Sequence, residues 1–206
     1  MSTIAVIANG IISDFSTTAK IIKKYEKVIA VDGGIEHCKK MNIIPDCIVG
    51  DFDSAAQNTL RIYKNVKQYR YPKDKDKTDL ELALEISEED TAKKITVFAA
   101  MGNRIDHTLA NIYLLTRYKG RLFLENEQEI LFVIKNYVKL STAKNQIISL
   151  LPLHGKVSGI STSHLKWNLK NSSMDKNFFG ISNICLKKEI EISVKKGDLL
   201  CILQKS

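Results

Sequence analysis

The chain has 206 residues, 44% of them hydrophobic and 26% charged, an ordinary globular balance with room for one large domain or two small ones. No apolar run approaches the roughly 18 residues that a membrane span requires, so no membrane association is expected. The net charge of +8 lies wholly in residues 135–206, which hold 12 lysines, no arginine and 4 acids; lysine without arginine is a poor reader of bases and phosphates, which argues against nucleic acid as a partner.

The start, Met1-Ser2-Thr3, puts no basic region ahead of a short apolar stretch, so no secretory signal is expected. Cys38, Cys47, Cys185 and Cys201 show neither C-x-x-C pairing nor metal-ligand spacing, and buried thiols in a cytoplasmic protein are the expectation. Residues 3–8 form a continuous apolar run closed by Asn9-Gly10, a buried strand and a tight turn. A helical pattern over 17–26 leads to a second strand, Val28 to Val31, ending in Asp32-Gly33-Gly34. A helix over 35–41 then precedes the apolar run Cys47-Ile48-Val49, which Gly50 stops. A helix over 55–64, a strand over 66–71 closed by Pro72, and the charged loop 73–77 follow. Thr78-Asp79-Leu80-Glu81 is a capping box that opens the next helix. A strand over 95–100 ends at Gly102, and a helix over 106–117 closes this half.

Strand, turn and helix repeating with near-continuous apolar strands predict a parallel sheet covered on both faces, a three-layer α/β domain. After residue 120 the texture changes to short β-type runs at 121–124, 129–134, 146–151, 183–186, 190–194 and 199–203. These predict a small antiparallel β-sandwich or barrel. The boundary is set at residue 134, with an α/β domain over 1–134 and an all-β domain over 135–206.

In open parallel sheets ligands bind outside the carboxyl ends of the strands. Asn9-Gly10, Asp32-Gly33-Gly34, Gly50 to Ser54 and Gly102 to His107 all fall there. Within Gly50-Asp51-Phe52-Asp53, an extended backbone points both carboxylates to one side. Two such charges about 4 Å apart repel by about 4 kcal/mol at an effective dielectric near 20, so the pair calls for a cation, and hard oxygen ligands suit Mg²⁺. A solvated acidic turn explains a lone D-x-D equally well. Asp79 and Asp106 read either as ligands or as first-turn acids favoured by the helix dipole. Five acids on one edge, Asp32 included, would repel one another unless a cation joined them. Mg²⁺ is usually held by one or two carboxylates plus substrate phosphates, which points to phosphate-bearing chemistry.

Asn9-Gly10 and Gly33-Gly34 let backbone approach a nucleotide closely. Arg104 suits a phosphate oxygen; Lys73, Lys75 and Lys77 either do the same or form a solvated loop. His107 reads as a base, a phosphate donor or a helix-start histidine bonded to backbone. Neither a Walker-type phosphate loop nor a G-x-G-x-x-G turn occurs.

Taken together, Asp32-Gly33-Gly34, Pro45-Asp46 with Gly50-Asp51-Phe52-Asp53-Ser54, Lys75-Asp76-Lys77-Thr78-Asp79-Leu80, and Gly102-Asn103-Arg104-Ile105-Asp106-His107 with Asn111 resemble the thiamine pyrophosphokinase family in order and spacing. Ser149-Leu150-Leu151-Pro152, Leu165-Lys166-Trp167-Asn168-Leu169 and Ser182-Asn183 continue the resemblance more weakly. It implies an enzyme that moves a pyrophosphoryl group from ATP to the hydroxyl of thiamine, giving thiamine diphosphate and AMP. It implies that Asp51, Asp53, Asp79 and Asp106 hold Mg²⁺ and the triphosphate, with Asp32 close by. Asn9, Gly10, Gly33, Gly34, Lys75, Thr78, Arg104 and His107 would lie on the ATP side. The β-domain would supply the vitamin site, with Trp167 stacking on a thiamine ring and Ser182 and Asn183 bonding the aminopyrimidine. From the residues alone, a core tryptophan on a strand reads equally well. The family's chains join as homodimers in which each site uses both.

The chain departs from the family's pattern at Asn103, where a second glycine is usual, at Ile35-Glu36, where a small residue and Asn commonly follow, and at His164, where a glycine is usual. The first two bear on ATP preference. Two other readings remain. A phosphohydrolase with a D-x-D nucleophile would place that motif after its first strand, and Asp51 follows the third. A single-strand-binding β-barrel would interleave lysine with aromatics, and here these are only Tyr137, Trp167, Phe178 and Phe179.

Overall fold

The structure, a computed structural model, describes residues 2–53, 56–89, 92–102 and 104–205. The chain divides into two compact units, Met1–Leu114 with Phe123–Glu127, and Leu115–Leu122 with Gln128–Ser206.

In the first unit the strands β1 (Thr3–Ile7), β2 (Lys27–Val31), β3 (Cys47–Gly50), β4 (Lys67–Arg70) and β5 (Lys94–Phe98) alternate with the helices α1 (Phe15–Ile22), α2 (Gly34–Lys40), α3 (Gln57–Ile62) and α4 (Asp79–Glu89). Helix α5 (Ile105–Leu114) and strand β6 (Leu122–Glu125) complete it. Strand β1 pairs in parallel with both β2 and β5, and the parallel ladder continues through β3 to β4. The order is therefore β6-β5-β1-β2-β3-β4. The apolar runs are strands because helices cover them: Ile4, Ala5, Val6, Ile7, Ile29, Ala30, Ile48 and Val49 are wholly buried. Only β4, at the edge, is partly exposed along its length. Helix caps follow the residues. Asp14 accepts the Thr17 amide (2.9 Å) at the start of α1. Thr78 and Glu81 bond each other's backbone amides (3.2 and 3.0 Å) at the start of α4, satisfying amides that a helix end otherwise leaves unpaired.

Two topological facts position the site. The chain runs outward from β1 to β4 on one side, then returns to β5 on the other, so the strand order reverses between β1 and β5, where a crevice opens at the carboxyl ends. The turn after β1 is also pinned to the turn after β5: Gly10 donates to Ala99 O (2.7 Å) and Ile11 to Met101 O (3.1 Å). A side chain at Gly10 would place its first carbon 2.4 Å from Ala99 O, so only glycine permits this approach.

The second unit holds β7 (Glu129–Ile134), β8 (Tyr137–Ser141), β9 (Ile147–Pro152), β10 (Val157–Ser163), β11 (Ser172–Met174), β12 (Gly180–Ile184), β13 (Glu189–Ser193) and β14 (Leu199–Gln204). They form two antiparallel groups, β12-β9-β14-β7 and β11-β10-β13-β8. Strand β7, within residues 1–134, pairs with β14 along its whole length and so lies in the second unit. Ile148, Leu150, Ile160, Ile190 and Ile192 are buried at alternate positions, as strands with one covered face require. All four cysteines are buried thiols, and burial pushes Cys38 up to about 12. Among the described residues no helix is long and apolar enough to cross a membrane.

Candidate active site

A cleft of about 680 Å³ opens in the first unit at the carboxyl ends of its parallel strands. Asn9 and Gly10 enter it after β1, Asp32 after β2, Asp51 after β3, Lys75, Thr78 and Asp79 before and within α4, and Arg104, Asp106 and His107 at α5. Residues from all five segments thus surround one space. Gly33 and Gly34 stand behind this wall: a side-chain carbon at Gly34 would lie 2.1 Å from Ile7 O, so α2 begins hard against the end of β1.

The acidic turn is built differently from the extended strand end expected. Strand β3 ends at Gly50, and Phe52 takes a left-handed conformation (φ 67°) with its ring buried. The chain turns between the two acids, and Asp51 Oδ1 accepts the Asp53 amide (3.0 Å). The Arg70 guanidinium lies over the Phe52 ring at 4.6 Å and backs the turn. The carboxylates are brought together by this turn, not by strand alternation.

Asp32 joins them. Its backbone is also left-handed (φ 47°), fixed by its amide's bond to Val49 O (2.8 Å). Oxygens of Asp32, Asp51 and Asp53 all lie within 4.8 Å of one another. Asp79 and Asp106 line the same cleft but stand outside that closest group. Ser54 and Asn103 lie outside the described residues.

Each outlying acid is paired. Lys75 Nζ is 3.2 Å from Asp79 Oδ1 and 3.9 Å from Asp51 Oδ2. Burial pushes the Asp79 carboxyl above the ordinary range, Lys75 pulls it down, and Asp32 and Asp51 add to the rise. Arg104 grips Asp106 through Nε (3.2 Å) and Nη2 (2.5 Å), which holds this exposed carboxyl down to about 2. Lys73 Nζ sits 2.7 Å from Asp53 Oδ2 at the rim.

One side chain bonded to the cleft wall gave no signal in the sequence. His37, on α2, donates from Nε2 to Gly10 O (2.9 Å) and thereby ties the helix to the cleft wall. A single histidine in a short helix has no spacing to mark it. Asn111 does the same for the opposite wall, donating to Ala100 O (2.7 Å).

In the second unit Trp167 is 55% exposed, so it is not a core residue. It stands on a bend held by Asn183, whose Oδ1 accepts the Trp167 amide (3.1 Å) and whose Nδ2 donates to Trp167 O (2.8 Å). Ser182, beside it, has a left-handed backbone (φ 57°) and donates its amide to Ser149 Oγ (3.0 Å). The Lys166 ammonium lies 4.6 Å from the Trp167 ring. His164 has φ 58°, the conformation that makes a glycine usual there.

The family model described as the catalytic domain of thiamin pyrophosphokinase matches residues 18–126, and the one described as its vitamin B1 binding domain matches 134–199. The chain belongs to the thiamine pyrophosphokinase family. A thiamine pyrophosphokinase from Bacillus subtilis is 29% identical over 214 residues, covering 98% of both chains. Thiamine pyrophosphokinase 1 of Arabidopsis thaliana is 30% identical over 172 residues, 76% of this chain and 64% of its own length. Among solved structures, the thiamine pyrophosphokinase of Bacillus subtilis superposes with a TM-score of 0.86 at 26% identity over 99% of each chain. The yeast thiamin pyrophosphokinase shares the fold, with a TM-score of 0.84 at 16% identity over 99% of this chain and 86% of its own.

As a member of the thiamine pyrophosphokinase family the chain is an enzyme. The fit to a divalent cation rests on one observation. Asp32 Oδ1 is buried with no hydrogen-bond partner among the described residues, beside two further carboxylates. A buried acceptor left unpaired is costly, and hard oxygen donors are what Mg²⁺ takes.

Proposed function

We propose that the cleft of the first unit is where the chain forms thiamine diphosphate, by transfer of the pyrophosphoryl group of ATP to the hydroxyl of thiamine with release of AMP. The observation that carries this reading is the gathering of Asp32, Asp51, Asp79, Arg104 and Asp106 around one cleft at the strand-order reversal. Nucleotide-binding crevices of parallel sheets open at such a reversal.

Asp51, Asp53, Asp79 and Asp106 would hold Mg²⁺ with the phosphates, and Asp32 belongs with them. When bound, the ion would neutralise charge on the triphosphate. The chain's own residues do the rest. Asn9 and Gly10 form a wall against which a nucleotide lies, with Gly33 and Gly34 packed close behind it, while Lys75, Thr78, Arg104 and His107 face its phosphates. The hydroxyl oxygen attacks the β-phosphorus, the bond to the oxygen bridging the α-phosphorus breaks, and AMP leaves with that oxygen. The hydroxyl proton passes to a carboxylate. Asp51 and Asp106 are the two carboxylates placed to take it.

The catalytic part lies in the first unit and the vitamin-binding part in the second, which takes in β7 from the residues before 135. Trp167 stacks on a thiamine ring, Ser182 and Asn183 border it, and the Asn183 amide sets the height of the tryptophan through its two backbone bonds. The enzyme is a cytoplasmic homodimer. Exposed Phe178, Phe179, Ile181 and Leu186 support an apolar contact with a second copy, and the buried thiols support a reducing compartment.

The test is AMP release from ATP and Mg²⁺ across a panel of alcohols that includes thiamine. AMP appearing in proportion to thiamine supports the reading. Phosphate release without thiamine, or a phosphoryl group trapped on Asp51, contradicts it.

A further inference from the structure

The loop 73–77 carries three lysines, and only one of them is folded inward. The Lys73 and Lys77 side chains are 77% and 51% exposed, that of Lys75 only 14%. Lys75 Nζ donates to Pro72 O (2.9 Å), which tethers the ammonium to its own loop. From there it lies 3.2 Å from Asp79 Oδ1 and 3.9 Å from Asp51 Oδ2, on the wall of the cleft. A cation shielded from water thus stands between two carboxylates that, on the function proposed above, belong to the divalent ion. Two cations cannot both be served by these carboxylates at full strength, because each attraction grows as the other is removed. The tether is a single hydrogen bond on a flexible four-carbon stem, which lets the ammonium move while the backbone stays.

We propose that Lys75 is an exchangeable counter-cation: in the nucleotide-free chain it neutralises Asp51 and Asp79, and on nucleotide binding it passes to the phosphates and frees those carboxylates. This rests on the proposed function and deepens it. Lys75 then opposes the divalent ion when that ion arrives alone and favours it when it arrives with a polyphosphate. Metal and nucleotide therefore bind cooperatively, and the free enzyme does not keep a divalent ion.

The test uses the full chain with Lys75→Met and Lys75→Gln; the second keeps a donor for Pro72 O and guards against a collapsed loop. Lys75→Arg keeps the charge. Binding of Mn²⁺ alone is read by electron paramagnetic resonance. Binding of an ATP analogue with a methylene bridge between the α- and β-phosphorus is read by calorimetry, with Mn²⁺ present. Both neutral variants are expected to bind Mn²⁺ alone about tenfold more tightly and the analogue about tenfold more weakly. Lys75→Arg should stay within about threefold of the parent in both. The opposite signs are the signature, since a merely structural lysine would move both affinities the same way. Loss of both, or no change in either, overturns the proposal while leaving the proposed function standing if the parent chain still releases AMP with thiamine. A parent chain that binds neither the analogue nor Mn²⁺ overturns both.

Discussion

Trp167 and Asn183 show how two residues sixteen positions apart share one task. Asn183 is buried and its amide is taken up by the Trp167 backbone, which leaves the indole standing exposed. An exposed aromatic face held at fixed height is suited to stacking, worth about 1–3 kcal/mol against a flat ring. Trp167→Ala should therefore raise KM for thiamine by about tenfold or more and leave KM for ATP within about twofold. Equal shifts in both would mark the tryptophan as structural. At this scale the acids were legible as types, since each stands where a strand or turn ends. Their arrangement was not. The left-handed Phe52 turns the chain between Asp51 and Asp53, and no pattern of two acids reports such a turn. The depressed Asp106 carboxyl depends on Arg104 closing a forked pair, a conformation that a two-residue spacing permits without requiring.

Helix α2 illustrates an element that serves the site without entering it. Its first turn abuts β1 at Gly34, and its third residue on, His37, holds Gly10 O. Burial pushes the His37 ring below its ordinary pKa, and Lys40 adds to this; the bond to Gly10 and the charge of Glu36 oppose it. Nδ1 is buried with no partner among the described residues, so the ring is held as the neutral form protonated at Nε2. The unfolded chain takes up this proton more readily than the folded one. The stability that His37 contributes is thus complete above its unfolded pKa, about 6.5, and is lost as pH falls from there towards the lower folded value. His37→Gln, which keeps a donor for Gly10 O, should flatten the fall in stability below pH about 6.5, read by urea unfolding at each pH. An unchanged slope would show that other groups set it. The helices and strands themselves were readable because apolar periodicity and breakers agree. The bounds shifted by a few residues: the helical pattern over 17–26 became Phe15–Ile22, since Asp14 caps the helix earlier.

At the scale of the whole molecule the two textures, continuous apolar strands and then short alternating ones, reported the two kinds of sheet. Strand order was not readable, because β5 returns beside β1 by pairing, and its residues are as apolar as those of any neighbour. That return creates the reversal at which the cleft opens, so the site's location followed from a general rule on sheet edges and its depth from the fold. The central claim is that carboxylates from separate strand ends act together on one polyphosphate. The most direct measurement is thiamine-dependent AMP release by Asp53→Asn beside the parent chain, with the unfolding temperature of each. Asp53 is half exposed, so the fold should be kept. The account predicts turnover lower by about a hundredfold or more with unfolding unchanged. Turnover near that of the parent chain would contradict it.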